Sequence, residues 1–546
     1  MRRVAALHYH PDGYGTAGKP IIGRRVAGEE FLRALVRHGG LQALRALVQD
    51  RAQAEAFRAH VAAIDPVLET SAHTYEDPAG FDDAGMIFVP GAAMSTYAWW
   101  RRRHRQDAFS LCGVTHTTAT DRAMDAIGDL LVAPLQPWDA LVCTSRAALG
   151  MVRRLLDEQG AYLRDRFGTG RIEGPLLAEI PLGVDTASFA PLPEARQRWR
   201  ERLGIGAEDV AAIVVGRLSQ VTKFTPAPMY LALERAAQGA SRRMHLILAG
   251  YFEPEQARGV FLDGAAALCP SVTVHHVDAT EPSARREIWS AADLFTLPVD
   301  NVQETFGLAP VEAMAAGLPV VVTDWDGFRD TVEEGVHGFR IPTLMGGPGA
   351  DLALRYAAGM DAYSNYVLGA SLGVAMDIPR AAEAYRTLVE DADRRRAMGA
   401  AAAAHARARY DWAAVIPRYL DLFDQLAELR RGGGERTPPQ PGREPVPLRP
   451  DPMRIFADYP TTAIAREMRF ALAPGAGLDA LRARARVPGV VGRGSLLPTE
   501  RQLVAMLTRL AEGPATAAEL AALAPPGRGA RGLVWLLKYD LVRRID

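Results

Sequence analysis

Short apolar runs alternate with helical patterns along the first 430 residues. Buried strands are predicted at residues 4–10, 85–90, 109–116 and 140–145, and then at 211–215, 245–250, 272–277, 294–299 and 320–323. Amphipathic stretches between and after them predict helices, for example at 29–38, 121–131, 147–156, 382–388 and 412–429. Alternation of this kind predicts the α/β class, with doubly wound parallel sheets.

The pattern changes after residue 430. Residues 431–452, RGGGERTPPQPGREPVPLRPDP, have the glycine and proline content of a linker. Beyond it, helices are predicted at 500–512, 517–523 and 531–537, with a closing strand at 539–545. This end resembles a winged-helix module, for which nucleic-acid binding is one interpretation. Because its last helix is mostly apolar, we favour an interaction or dimerisation module, which would make the protein a homo-oligomer.

The most informative stretch is 300–323, DNVQETFGLAPVEAMAAGLPVVVT. Pro310 suits the first turn of a helix, and the loop before it leaves backbone N–H groups free for an anion. Glu304 and Glu312 lie eight positions apart, or roughly 12 Å along a helix. Hydrolytic carboxylate pairs lie closer, at about 5–9.5 Å. The spacing suits the two ends of a nucleotide-diphosphate sugar; the alternative is two solvated glutamates.

A second stretch, 210–223, reads VAAIVVGRLSQVTK. Arg217 and Lys223 follow the carboxyl end of a predicted strand, where open α/β sheets bind ligands. Arginine offers phosphate a rigid fork of donors, and lysine offers a mobile point charge. The alternative is a surface arginine and lysine, which are common after strands.

Together with residues 179–191, EIPLGVDTASFAP, these stretches resemble glycosyltransferase family 4, retaining sugar-nucleotide-dependent enzymes of GT-B fold. The resemblance covers about residues 1–430 and is best from 180 to 345. It is carried by Pro181, Gly183, Val184, Asp185, Phe189, Pro191, Gly216, Arg217, Leu218, Ser219, Lys223, Glu304, Phe306, Gly307, Glu312, Ala313, Gly317 and Pro319. It implies two Rossmann-like domains facing a cleft, 1–192 on the acceptor side and 193–430 on the donor side, followed by the linker 431–452 and a winged-helix-like module, 453–546.

The resemblance also implies roles for single residues. Arg217 and Lys223 would hold the donor diphosphate, Glu304 the transferred sugar and Glu312 the ribose. The loop residues Thr305, Phe306, Gly307 and Leu308 would complete the donor site, and His116, at a strand end, would lie near the sugar; a histidine satisfied by backbone is the alternative. The glycine motif of many members after the first strand is not matched, so Gly18 and Gly23 are assigned to the donor site only by their place in the loop 11–28.

The implied reaction moves a sugar, with retention, from a nucleotide-diphosphate sugar to a carbohydrate, lipid-linked or small-molecule acceptor, in glycan, polysaccharide or glycolipid biosynthesis. Two alternatives remain: a synthase acting on a small soluble acceptor, and a non-catalytic nucleotide-sugar-binding regulator that uses the C-terminal module. The donor is a substrate, and we expect neither a cofactor nor a metal ion. The D-x-D sequence Asp324-Trp325-Asp326 is interpreted as a turn outside the donor contacts.

Composition narrows the picture. Lys and Arg number 63 against 64 Asp and Glu, so no global field recruits nucleic acid. Cys112, Cys143 and Cys269 lie in apolar settings and are predicted to be buried thiols.

Without a signal peptide or a 20-residue apolar run, a cytoplasmic protein is expected. The run 99–105, WWRRRHR, is interpreted as a solvated basic helix with packed tryptophans; the second hypothesis is peripheral contact with the inner face of the membrane. The sequence assigns no role to residues 344–379; the cleft rim and a subunit contact stay open as alternatives.

Overall fold

The computed structural model describes residues 3–15, 23–487, 496 and 498–545. The chain forms two compact units, Met1–Val446 and Pro447–Asp546. The first unit is built on two parallel sheets and the second on a small antiparallel sheet. In the described residues, no helix combines the length and apolar character that crossing a membrane requires. All three cysteines are buried free thiols, as predicted.

The N-terminal half of the first unit is a seven-stranded parallel sheet in the order β3-β2-β1-β4-β5-β6-β7. Its strands are β1 Val4–His8, β2 Ala43–Val48, β3 Glu69–Thr74, β4 Met86–Val89, β5 Ser110–Val114, β6 Ala140–Cys143 and β7 Leu176–Glu179. Its helices are α1 Pro11–Tyr14, α2 Gly23–His38, α3 Arg51–Ala62, α4 Ser95–Arg102, α5 Asp121–Gly128 and α6 Arg146–Phe167. Apolar cores cover the sheet on both faces, which explains why its central strands are continuous hydrophobic runs.

The donor-side half repeats this order in six parallel strands, β10-β9-β8-β11-β12-β13. The strands are β8 Val210–Val215, β9 Met244–Ala249, β10 Thr273–Val277, β11 Leu294–Leu297, β12 Val320–Thr323 and β13 Gly338–Ile341. The helices are α7 Pro193–Leu203, α8 Ala227–Ala237, α9 Ala257–Leu268, α10 Pro282–Glu287, α11 Leu308–Ala315 and α12 Phe328–Thr331. The strand order reverses between β8 and β11, so the loops after these two strands flank the crevice in which such sheets bind ligands.

An inserted segment and three long helices complete the first unit. The insertion has a two-stranded antiparallel ribbon, β14 Thr343–Met345 and β15 Val374–Met376, enclosing α13 Ala350–Ala357 and α14 Tyr363–Leu372. It is followed by α15 Ile378–Glu390, α16 Ala392–Arg409 and α17 Trp412–Gly432. Helix α17 returns to the N-terminal half, as predicted for residues 410–429, and Trp412 and Tyr419 pack edge-on against Phe31 of α2.

The second unit has its own apolar core, which includes Phe470, Leu507 and Leu536. Its three-stranded antiparallel sheet has the order β17-β16-β18, with β16 Arg469–Leu472, β17 Ala515–Thr516 and β18 Val542–Arg544. Its helices are α18 Pro452–Ile455, α19 Leu478–Ala485, α20 Glu500–Ala511, α21 Ala517–Ala521 and α22 Arg528–Lys538. The three predicted helices and the closing strand are present, and the winged-helix assignment stays a prediction.

Two segments differ from expectation. Part of the loop predicted at 11–28 is helical, because α2 begins at Gly23, well before the predicted helix start at 29. The predicted linker, 431–452, is not free along its first half. Arg102 donates to the carbonyl of Thr437 (3.3 Å), and the amide of Arg436 donates to Gln136 Oε1 (2.8 Å). Polar side chains of the N-terminal half thus satisfy the backbone of this proline-rich segment.

One arginine of the basic run after Trp99 lies inside the fold. Arg101 is fully buried and donates to both carboxylate oxygens of Asp139, at 2.7 and 2.6 Å, and to the carbonyl of Phe109. Trp100 is partly buried and donates to the carbonyl of Tyr75 at 2.8 Å. Arg101 and Asp139 therefore form a structural ion pair, and the charge of Arg101 does not face a lipid surface.

Candidate active site in the cleft

The loop after β8 brings Arg217 to the carboxyl end of the donor-side sheet. Gly216 has a φ of +129°, and a Cβ on Gly250 would lie 1.7 Å from the carbonyl oxygen of Gly216. The loops after β8 and β9 therefore touch through backbone, which places Glu253 within reach of Arg217. Their side chains form an ion pair at 2.6 Å, and Glu253 is 48% exposed. Sequence reasoning missed this partner, because it comes from the neighbouring strand's loop.

Lys223 and Glu304, both predicted site residues, meet at the strand-order reversal. Lys223 Nζ lies 3.1 Å from Glu304 Oε2, and the glutamate side chain is 16% exposed. Burial by itself would raise the pKa of Glu304, but the Lys223 ammonium and the N–H groups of Thr305 and Phe306 outweigh it and lower that pKa. Glu304 is thus held ionised beside the Lys223 ammonium.

The segment from Thr305 to Leu308 forms the N-terminus of α11. Gly307 is the N-cap residue with a φ of +89°, and a Cβ there would lie 2.1 Å from Cε1 of Phe328. Only glycine fits this position, since both the backbone conformation and the space exclude a side chain. Pro310 lies in the first turn, as predicted, and no side chain caps the helix. The first N–H groups of α11 therefore remain available to an anion.

Glu312 lies further along α11, and its carboxylate makes no hydrogen bond or ion pair with any described residue. Burial, followed by the charge of Glu30, raises the pKa of Glu312 to about 7. Burial likewise raises the pKa of Glu30, in α2, to about 7, although Trp412 Nε1 donates to it at 3.2 Å. The two glutamates come from opposite halves of the unit. Glu30, which lies in the helix predicted at 29–38, was not assigned to the site by the sequence analysis.

His116 lies two residues beyond β5, in the loop that leaves the carboxyl end of the N-terminal sheet. The next residue, Thr117, approaches the donor-side half: its Oγ1 lies 3.4 Å from the hydroxyl of Tyr363 in the insertion. This loop therefore contacts the insertion of the other half through Thr117, and the place of His116 beside the sugar stays a prediction. Gly23 is the first residue of α2, and Gly18 lies outside the described residues.

Asp326 lies nearer to the site than the sequence analysis expected. A Cβ on Gly327 would lie 2.4 Å from the carbonyl oxygen of Phe306, so the two backbones touch. Asp326 has a φ of +46°, and it accepts a hydrogen bond from Ser145 of the N-terminal half at 3.4 Å. Burial, and then the charge of Glu304, raises its pKa well above the usual range. In the described residues, no three His, Cys, Asp or Glu side chains cluster as metal ligands.

A second contact across the cleft lies close to Asp326. The backbone N–H of Arg146, at the N-terminus of α6, donates to Asp330 Oδ2 at 2.7 Å, and its side chain pairs with the same carboxylate. A carboxylate at a helix N-terminus is stabilised by the helix dipole. The two halves of the unit are thus in contact at Arg146 and at Thr117.

Comparison with known proteins covers the part of the chain that contains these residues. Residues 211–346, which contain Arg217, Lys223, Glu304 and Glu312, match the family model described as "Glycosyl transferases group 1". The solved structure of Anabaena HepE in complex with UDP covers 78% of this chain and 100% of its own, with a TM-score of 0.50 and 17% identity. This likeness concerns the fold: two Rossmann-like domains in the GT-B arrangement, as predicted.

Curated relatives match part of the chain. The D-inositol 3-phosphate glycosyltransferase of Kineococcus radiotolerans is 31% identical over 256 residues, which are 46% of this chain and 52% of the relative. The GDP-mannose-dependent alpha-(1-6)-phosphatidylinositol monomannoside mannosyltransferase of Mycolicibacterium smegmatis is 30% identical over 228 residues, 39% of this chain and 54% of the relative. The chain thus spans about half the length of the curated relatives it matches. The family match covers residues 211–346.

Proposed function

We propose that this protein is a retaining glycosyltransferase that takes a sugar from a nucleotide-diphosphate sugar bound in the cleft. The observation that carries the proposal is the contact between Lys223 and Glu304, 3.1 Å apart at the strand-order reversal and beside the uncapped N-terminus of α11. A cation and a carboxylate held this close suit one ligand whose phosphate adjoins a sugar. The family match over residues 211–346 and the relatives' names support the same reading.

The charges of the site fit the electrostatics of sugar transfer. As the bond between the anomeric carbon and the phosphate oxygen breaks, the sugar becomes cation-like and the phosphate gains negative charge. Arg217, Lys223 and the N–H groups of α11 would stabilise the leaving diphosphate without a metal ion or a cofactor. Glu304, kept ionised by Lys223, would accept hydrogen bonds from the sugar and favour its positive charge.

Retention follows from attack on the face that the diphosphate leaves. The acceptor hydroxyl oxygen bonds to the anomeric carbon, and its proton passes to the departing phosphate oxygen. No covalent enzyme intermediate is then needed. His116, in the N-terminal loop that reaches the cleft, would hydrogen-bond the transferred sugar. Glu312, which has no side-chain partner among the described residues, would accept hydrogen bonds from the ribose hydroxyls.

Two acceptor classes are favoured by the relatives' names, one soluble and one lipid-linked. A soluble acceptor would be a small polyol phosphate, such as an inositol phosphate. A lipid-linked acceptor would bring the protein to the inner face of the membrane for glycolipid synthesis. We propose testing both classes with the same donor.

A donor screen tests the proposal. Full-length protein is incubated with UDP-glucose, UDP-N-acetylglucosamine, GDP-mannose and ADP-glucose, with and without EDTA, and nucleotide release is followed together with the melting temperature. The proposal expects one donor to raise the melting temperature and to be slowly hydrolysed in EDTA, with both effects clearly weaker in Arg217→Ala and Glu304→Ala at the same donor concentration. If no donor or free nucleoside diphosphate stabilises the protein, the assignment of the site is wrong.

A further inference from the structure

The insertion between β13 and α15, residues 342–377, is anchored to the donor-side loop that carries Glu304. Val367 and Ser371 of α14 are buried, and Asn301 Nδ2 donates to Ser371 Oγ at 3.0 Å. Asn301 also donates to the carbonyl of Val221 at 2.8 Å and accepts from the amide of Gln303 at 2.9 Å. One asparagine therefore ties α14 to the loops that hold Lys223 and Glu304.

Tyr363, at the start of α14, contacts two loops that carry predicted site residues. Its hydroxyl donates to Gln303 Oε1 at 3.0 Å and lies 3.4 Å from Thr117 Oγ1. Gln303 Nε2 donates in turn to the carbonyl of Thr222 at 3.2 Å. These partners are sequence neighbours of Glu304, His116 and Lys223, so one phenol links the loops that carry all three. Burial raises the pKa of Tyr363, and the nearby Arg217 charge partly opposes this.

A second tyrosine fastens the insertion to the N-terminal half. The hydroxyl of Tyr356 accepts a hydrogen bond from the backbone N–H of Asp121 at 2.8 Å, at the first residue of α5. Its ring stacks on Tyr366, with centroids 4.3 Å apart and an interplanar angle of 11°. The loop between β5 and α5, which contains His116, is therefore held by the insertion at two points.

We propose that Tyr363 is a positioning residue for the transfer step, which aligns the Glu304 loop with the His116 loop through its hydrogen bonds to Gln303 and Thr117. The inference rests on the function proposed above. The phenol does not contact the donor in this scheme; it fixes the loops whose neighbouring residues do. Loss of its hydroxyl should therefore slow turnover and leave nucleotide affinity intact, because Arg217 and α11 are untouched.

The test uses full-length protein and the donor that the wild type hydrolyses fastest among UDP-glucose, UDP-N-acetylglucosamine, GDP-mannose and ADP-glucose. Tyr363→Phe is expected to lower kcat about tenfold, the effect of one lost hydrogen bond, with KM and the Kd of the matching nucleoside diphosphate changed less than about twofold. Tyr366→Phe is the matched control on the same helix, since the Tyr366 hydroxyl makes no hydrogen bond with the described residues. It should keep wild-type turnover.

A double variant separates positioning from general stability. If Tyr363 acts through Gln303, adding Tyr363→Phe to Gln303→Leu should cost far less than the tenfold seen in the wild-type background. The inference is wrong if Tyr363→Phe has the wild-type kcat. It is also wrong if the loss appears equally in the Kd of Tyr363→Phe or in the kcat of Tyr366→Phe. In either case, nucleotide binding that depends on Arg217 would still support the proposed function. If the wild type binds no nucleoside diphosphate and hydrolyses no donor, the proposed function and the inference about Tyr363 are both wrong.

Discussion

If Arg217 holds the donor diphosphate, as proposed, Glu253 competes with that ligand for Arg217, and removing the Glu253 charge should tighten nucleotide binding. In the structure the two side chains are 2.6 Å apart, and Glu253 is 48% exposed. Exposed ion pairs of this kind contribute about 0–1 kcal/mol. Because this pair no longer has to break, Glu253→Gln should make the binding free energy of the nucleotide more favourable by up to about 1 kcal/mol. This corresponds to a Kd lower by up to about fivefold.

Arg217→Ala should act in the opposite direction and more strongly. A hydrogen bond from a charged donor is worth about 1.5–3 kcal/mol. Subtracting about 0–1 kcal/mol for the Glu253 pair that no longer has to break leaves a net loss of roughly 0.5–3 kcal/mol. The expected Kd for a nucleoside diphosphate is then about 2- to 160-fold higher than in the wild type.

Isothermal titration calorimetry with UDP, GDP and ADP measures both effects on the same nucleotide. Arg258→Ala is the control, because Arg258 lies over the ring of Phe252, 5.5 Å from its centroid, next to Glu253 but outside the proposed diphosphate contacts. Its Kd should equal that of the wild type. The reasoning is refuted if Glu253→Gln weakens binding, or if Arg217→Ala binds as tightly as the wild type.

Three further predictions concern the scaffold of the site. Gly307→Ala should cost about 1–3 kcal/mol of unfolding free energy in urea, because a Cβ at φ +89° would strike Phe328; wild-type stability would refute the strain argument. The raised pKa of Glu30 stabilises the fold fully below about pH 4.5, and this stability is lost as the pH rises through 7, by up to about 1.4 kcal/mol per pH unit. In urea unfolding measured from about pH 5 to 8, the free energy of unfolding of Glu30→Gln should therefore fall less with pH than that of the wild type. Asp139→Ala leaves the Arg101 charge buried and unpaired, and should cost about 3–5 kcal/mol by the same assay; a loss under 1 kcal/mol would contradict this.

The parallel sheets could be predicted where strands are continuous and β-branched. Strand β12, Val320–Thr323, has the predicted bounds, because four buried residues lie between a proline and an aspartate. Strand β2, Ala43–Val48, escaped prediction, since its sequence ALRALV has the composition of a helix. Its strand conformation comes from pairing between β1 and β3, and its Arg45 bonds to Asp83, a tertiary contact that local propensity does not encode.

The sequence predicted those residues of the candidate site that lie in loops directly after predicted strands. Lys223 and Glu304 come together because the strands before them are neighbours at the reversal of strand order. Glu253 and Tyr363 were not predictable as partners of this site. The first depends on two glycine loops that touch, and the second on an insertion whose sequence has no strong periodicity. Such contacts arise from side-chain packing between distant segments, which a single sequence does not specify.

A crystal structure of the full-length protein with the nucleoside diphosphate of its preferred donor would test the central claim most directly. The account predicts phosphate oxygens within hydrogen-bond distance of Arg217, Lys223 and the first N–H groups of α11, with the ribose hydroxyls on Glu312. A nucleotide bound away from the strand-order reversal, or with its diphosphate remote from Arg217 and Lys223, would contradict it.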